Sequence, residues 1–152
     1  MISAKLVHLL EQHSDEIARA FLRDVAEDTR LKHLASLPKS DLQDRCMEII
    51  QHLGNWLTTA DSKKVASHFE QIGRKRYQER VPLREIVLGL QMLKRRMLRY
   101  IREQGVSRDT VEIYAEEELE HQLGAFIDSA IYHAVGGYEE ARDELLSYAR
   151  AS

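Results

Sequence analysis

Cysteine, proline and long apolar runs are all scarce in this chain, and each scarcity removes a class of explanation. A single cysteine, Cys46, among 152 residues excludes an intramolecular disulfide and a thiolate metal cluster. No run of 18 apolar residues occurs, so nothing reads as a membrane-spanning helix. Glu11, Asp15, Glu16 and Arg19 interrupt the first twenty residues, where a signal peptide needs an unbroken apolar stretch. The cytoplasm is therefore the expected location, with no membrane partner. Two prolines and seven glycines leave room for long helices. No segment keeps the strict alternation of a strand, and there is no repeat or low-complexity tract.

What is present is a soluble, globular mixture, 43% hydrophobic and 31% charged. A chain of this length forms about one domain and buries roughly 68–70% of its unfolded surface. The formal net charge of -3 gives no reason to expect a nucleic-acid partner. The charge is nevertheless uneven. Arg74 to Arg102 is basic and Glu112 to Glu120 is acidic. These runs read either as solvated helix faces or as surfaces that pair with each other or with a partner.

Apolar residues recur at helical spacing almost throughout. Leu6, Leu9 and Leu10 mark a first helix. Ser14 reads as an N-cap, with Asp15 and Glu16 where the helix dipole favours acids. Ile17, Phe21, Leu22 and Val25 continue from it. A short helix around Leu31, Leu34 and Leu37 should stop ahead of Pro38. Ser40 reads as the next cap, before the face Leu42, Cys46, Ile49, Ile50, Leu53 and Leu57, with Trp56 beside it. Asp61 or Ser62 opens a helix whose buried line is Val65, Phe69, Ile72 and Arg76. An arginine ending such a line should pack its stem and send its head to water or a carboxylate.

Pro82 is placed as the first residue of a helix carrying Leu83, Ile86, Val87, Leu90, Leu93, Met97 and Ile101, closed by Gly105. Ser107 then caps a long helix whose apolar surface is Val111, Tyr114, Leu119, Leu123, Phe126, Ile127 and Ala130. Beyond it, Ile131, Ala134, Tyr138, Ala141, Leu145 and Tyr148 are spaced 3, 4, 3, 4, 3, the step of a coiled-coil seam. The seam passes through Gly136-Gly137, which would otherwise end a helix. Either the glycines break the helix and the tail packs back, or the helix continues outward as a stalk that a second protomer extends. These residues are the expected dimer and relay seam. They divide the chain into a helical body, 1–135, and a signalling extension, 136–152.

Catalytic and cofactor motifs are absent. Gly136-Gly137 lacks the lysine and hydroxyl of a phosphate loop, and no HExxH or nucleophile elbow occurs. His8 and His13 do not share a helical face, and His121 and His133 lack a third ligand. Glu116 to Glu118 and Glu120 point around a helix rather than converging. His68 reads as a core-edge histidine and Cys46 as a small core residue. No catalytic, metal or cofactor site is expected.

Two blocks resemble a known family. Gln71-Ile72-Gly73-Arg74-Lys75-Arg76-Tyr77 with Val81-Pro82-Leu83-Arg84-Glu85-Ile86-Val87 is one. Phe126-Ile127-Asp128-Ser129-Ala130 with Val135-Gly136-Gly137-Tyr138 is the other. Together they resemble the N-terminal domain of RsbR-type stressosome co-antagonists, found also in front of some bacterial histidine kinases. The resemblance implies an all-α, globin-like bundle without haem, a homodimer, and a projecting final helix that leads to a kinase or other regulatory output. Related haem-binding sensors carry the proximal histidine three residues after an Ile-Gly pair, and Arg76 stands there in this chain. The function expected is a non-catalytic sensory input module, with a haem- or apolar-ligand-binding helical module as the alternative. The chain is expected to be either an excised input domain or a stand-alone protein.

Overall fold

The computed structural model describes residues 2–59, 62–104 and 109–151. These residues form an all-α protein. The helices are α1 (Ala4–Gln12), α2 (Ser14–Glu27), α3 (Lys32–Ala35), α4 (Lys39–Gln51), α5 (Leu53–Thr58), α6 (Lys63–Gln78), α7 (Leu83–Glu103) and α8 (Thr110–Ala151). A 3-10 turn, Thr29–Leu31, precedes α3. None of these helices is long and apolar enough to cross a membrane.

Two bends arise without glycine or proline. α1 and α2 form one apolar stripe broken at His13 (φ -115°, ψ 28°), whose Nδ1 lies 2.9 Å from the Leu9 carbonyl oxygen. Ser14 is therefore the first residue of α2, and it is buried rather than serving as a side-chain cap. The second bend is at His52 (φ -114°, ψ 25°). It turns Trp56 into the core and leaves Leu57 half-buried, the reverse of the face expected for one continuous helix. Glu11 of α1 secures this bend by accepting a 3.1 Å hydrogen bond from the Gly54 N–H in the first turn of α5.

Helix starts follow local chemistry to within a residue. Ser62 caps α6 by accepting from the Val65 N–H at 3.3 Å. Pro38 and Pro82 are the residues just before α4 and α7, and Ser40 lies inside the first turn of α4. The expected caps Asp61, Gly105 and Ser107 fall outside the described residues.

α6 ends in a Schellman turn. The Val81 N–H donates to the Arg76 carbonyl (3.0 Å) and the Arg80 N–H to that of Tyr77 (2.9 Å). Arg80 supplies the left-handed residue, φ 64°, where glycine is usual. Val81 is fully buried and locks the turn to the core.

One core runs through all eight helices, with Phe69, Phe126, Ile17, Ile50, Met97 and Leu123 among its fully buried members. Val111 and Tyr114, expected on the apolar side of α8, are instead exposed, while Ala115 beside them is buried.

α8 is one helix of 42 residues that passes through Gly136-Gly137 without a break. The glycine pair does not end the helix. The division at 135/136 thus falls inside a single helix.

Candidate functional site: the crossing of α6 and α8

α6 and α8 pack on each other more extensively than any other helix pair described, and two glycines explain how. A Cβ on Gly73 would overlap the Ala134 carbonyl oxygen and stand 2.9 Å from the Tyr138 nitrogen. A Cβ on Gly137 would overlap the Glu70 carbonyl oxygen and stand 2.7 Å from its carbon. The backbones touch directly at both points, which only glycine permits. Gly136, by contrast, faces open space. Only the second glycine of the pair is required by this packing.

Side chains brace the crossing on both sides. Toward the body, Phe69 and Phe126 meet edge-on at 5.7 Å, and Trp56 stacks on Phe126 at 6.0 Å. Toward the free end, Tyr77 and Tyr138 meet edge-on at 5.1 Å. Beyond them the Arg74 guanidinium donates to both Glu144 carboxylate oxygens, at 2.9 and 3.0 Å, and to Glu140 at 3.0 Å. These bonds raise the Arg74 pKa further and lower that of Glu144. The geometry is bidentate, but the groups are in water and the pairing is weak.

The expected seam divides along its length. Ala134 is fully buried against α6, and Ile131, Tyr138 and Ala141 are half-buried. Leu145 and Tyr148 are 56% and 78% exposed, with Leu146 at 48% beside them. The inner residues are thus engaged within the chain, and the outer ones project from it with apolar surface uncovered.

Arg76 is only 5% exposed. Its Nη1 donates to Glu79 at 2.7 Å and lies 3.6 Å from Asp41 of α4. A guanidinium stays protonated and has no lone pair to offer iron. Lys75 also donates to Asp41, at 3.0 Å, and these cations lower its pKa against the opposing effect of burial. Among the described residues the two charged runs of the sequence pair at Arg102 and Glu120, 4.0 Å apart. Other cations turn elsewhere, Arg96 making two bonds of 2.6 and 2.7 Å to Asp24 of α2.

Three further polar groups lie in the core or at its edge. Burial pushes the Cys46 thiol up to about 12, which makes it inert as a nucleophile. Burial likewise lowers the pKa of His68, which packs 4.9 Å from Trp56. Glu85 was not anticipated. It is 3% exposed and accepts from the His33 and Leu34 N–H groups, both at 3.0 Å, with His33 Nδ1 at 2.7 Å from its other oxygen. It caps α3 from across the core. The signal was available, because Glu85, Gly89, Leu93, Met97 and Ile101 form one row with a step of four. Among the described residues no group of three metal-ligating side chains converges.

Comparison with curated proteins and with solved structures gives no match. A family model does match, over residues 11–152, and its description is the RsbT co-antagonist protein rsbRD N-terminal domain. That span takes in both glycines of the crossing, the Arg74 clamp and the projecting end of α8. The chain therefore belongs to the rsbRD N-terminal domain family.

Proposed function

We propose that this chain is the non-catalytic input module of a cytoplasmic bacterial signalling protein, dimeric through the outer part of α8 and globin-like in the arrangement of its body. The observation that carries the reading is the single helix α8. It is fixed to the body by backbone contact at Gly73 and Gly137, and it leaves the body with Leu145, Leu146 and Tyr148 uncovered. Exposed apolar residues in a row on a projecting helix are what a second copy would bury. A displacement of α6 would then be passed to the paired helices and on to an output partner. The family is named for co-antagonists of RsbT, which makes a kinase or other stressosome-type regulator the natural class of partner. Such a relay requires two discrete arrangements of the crossing.

The test is the mass of the full chain in solution, measured by light scattering, together with that of Leu145→Glu and Tyr148→Glu. The expected result is a dimer that both variants convert to a monomer of unchanged helix content. A full chain that stays monomeric at high concentration rejects the reading.

A further inference from the structure

Among the described residues, every exposed large apolar side chain except Ile2 lies on α8. The residues that α8 buries, from Ala115 to Gly137, follow one side of the helix. On the opposite side a row of positions three and four apart runs from Tyr114 through Asp128, Tyr132 and Val135 to Leu146. Its residues are exposed or half-buried along the whole length, Tyr132 reaching 75% and Tyr114 58%. We propose that this outward face of α8 is covered by α8 of a second copy, beside the body as well as at the projecting end.

Length and area identify the occupant. From Tyr114 to Leu146 the row is about 48 Å long at 1.5 Å per residue. A partner that follows it throughout must present a straight element of that length. Among the described helices α8, with 42 residues, is long enough, and the next longest, α7, has 21. A strip one helix diameter wide, about 10 Å, covers about 200 Å² over residues 139–151 and about 500 Å² over the whole row. Stable interfaces remove about 600 Å² or more of accessible surface from each partner. The projecting end alone falls far short of that, whereas the whole row with its flanking side chains comes close.

Gly124 lies at the edge of the same face and is half-buried. A Cβ there would meet nothing within 4 Å. Packing within the chain therefore gives no reason for a residue that weakens a helix relative to alanine. A second helix passing close to the backbone supplies one. Charged residues such as Glu117 and Glu139 stand between the apolar ones, the mixed composition of a non-obligate interface. The inference rests on the dimer proposed above, and it moves the centre of that dimer from the projecting end to the side of the body.

Sedimentation equilibrium of the full chain would be compared with that of Tyr132→Glu, Gly124→Arg, Leu145→Glu and Tyr148→Glu. Tyr132→Glu and Gly124→Arg should each weaken the dimer about a hundredfold. Helix content should be unchanged, because the first side chain is mostly exposed and the second replaces a glycine with open space before it. If the dimer survives either substitution, the outward face is not the interface, and its loss in Leu145→Glu would still uphold the projecting end. If both substitutions dissociate the dimer while Leu145→Glu and Tyr148→Glu do not, the outward face stands and the projecting end is dispensable. A full chain that is monomeric at high concentration overturns both.

Discussion

Gly136 and Gly137 are neighbours in one helix, and alanine should have opposite effects at the two. Replacing glycine by alanine inside a helix gains about 1 kcal/mol of propensity where the new methyl meets nothing. Gly136 satisfies that condition, so Gly136→Ala should stabilise by up to that amount. At Gly137 the same methyl would lie 2.7 and 2.8 Å from the carbonyl carbon and Cα of Glu70. Carbon atoms in contact need about 3.5–4.0 Å. The obstacle is backbone, which no rotamer change can move, so α6 and α8 must separate by about 1 Å. Overpacking of this kind costs about 1–3 kcal/mol, and the flanking Tyr77–Tyr138 and Phe69–Phe126 contacts loosen with it. After the propensity gain, Gly137→Ala should be destabilised by about 0–2 kcal/mol, leaving the two variants about 1–3 kcal/mol apart. Gly73→Ala should behave like Gly137→Ala. Urea unfolding followed by circular dichroism measures the difference directly. If Gly137→Ala proved as stable as Gly136→Ala, the backbone contact inferred here would be wrong.

Other positions give equally definite expectations. Glu85→Leu should cost about 3 kcal/mol by leaving the His33 and Leu34 N–H groups unpaired, and Glu85→Gln should recover much of it, since an amide oxygen still accepts; both are read from urea midpoints. Arg80→Gly should raise stability by about 1 kcal/mol, because it relieves a left-handed residue while keeping the Schellman bonds; thermal unfolding would show a higher midpoint. For His68 the folded pKa is depressed below the model-compound value of 6.5, so as pH falls through 6.5 the unfolded chain takes up a proton that the folded chain refuses. Its contribution to stability should therefore decline from pH 6.5 down to the folded pKa and then level off. His68→Phe should remove that part of the pH dependence of the melting temperature, and an unaltered slope would refute the assignment.

Helical periodicity was legible because apolar residues at steps of three and four have few other uses in a chain so poor in glycine and proline. The long helix ending in the projecting seam could be read the same way, as could the packing of Arg76 with its head on carboxylates. The break at His13 could be read too, within a residue, from Ser14 taken as a cap. The bend at His52 could not, because the apolar periodicity runs straight across it, and the interruption comes from tertiary packing rather than local propensity. The exposure of Val111 and Tyr114 was hidden for a related reason. Periodicity shows which face of a helix is apolar but not how much of that face its neighbours cover. Gly137 was ambiguous because a glycine in a helix can serve as a terminator or as a close-contact residue. The sequence around it does not reveal that a second glycine, Gly73, lies opposite.

α6 holds α8 at the crossing and at the Arg74 clamp, and the physics of the two differs. At 1.5 Å per residue α8 is about 63 Å long, with about 20 Å beyond Tyr138. The clamp grips that outer part at Glu140 and Glu144, but through exposed ion pairs that salt screens and that contribute little. The crossing is backbone on backbone, with no flexible side chain between to absorb a shift of α6. It therefore sets the position of α8, and the clamp restrains only the direction of its end. Arg74→Ala should accordingly leave the unfolding midpoint nearly unchanged while hydrogen exchange speeds up in residues 139–148. Gly73→Ala should lower the midpoint. A large loss of stability in Arg74→Ala would show that the clamp, not the glycine contact, holds the two helices together.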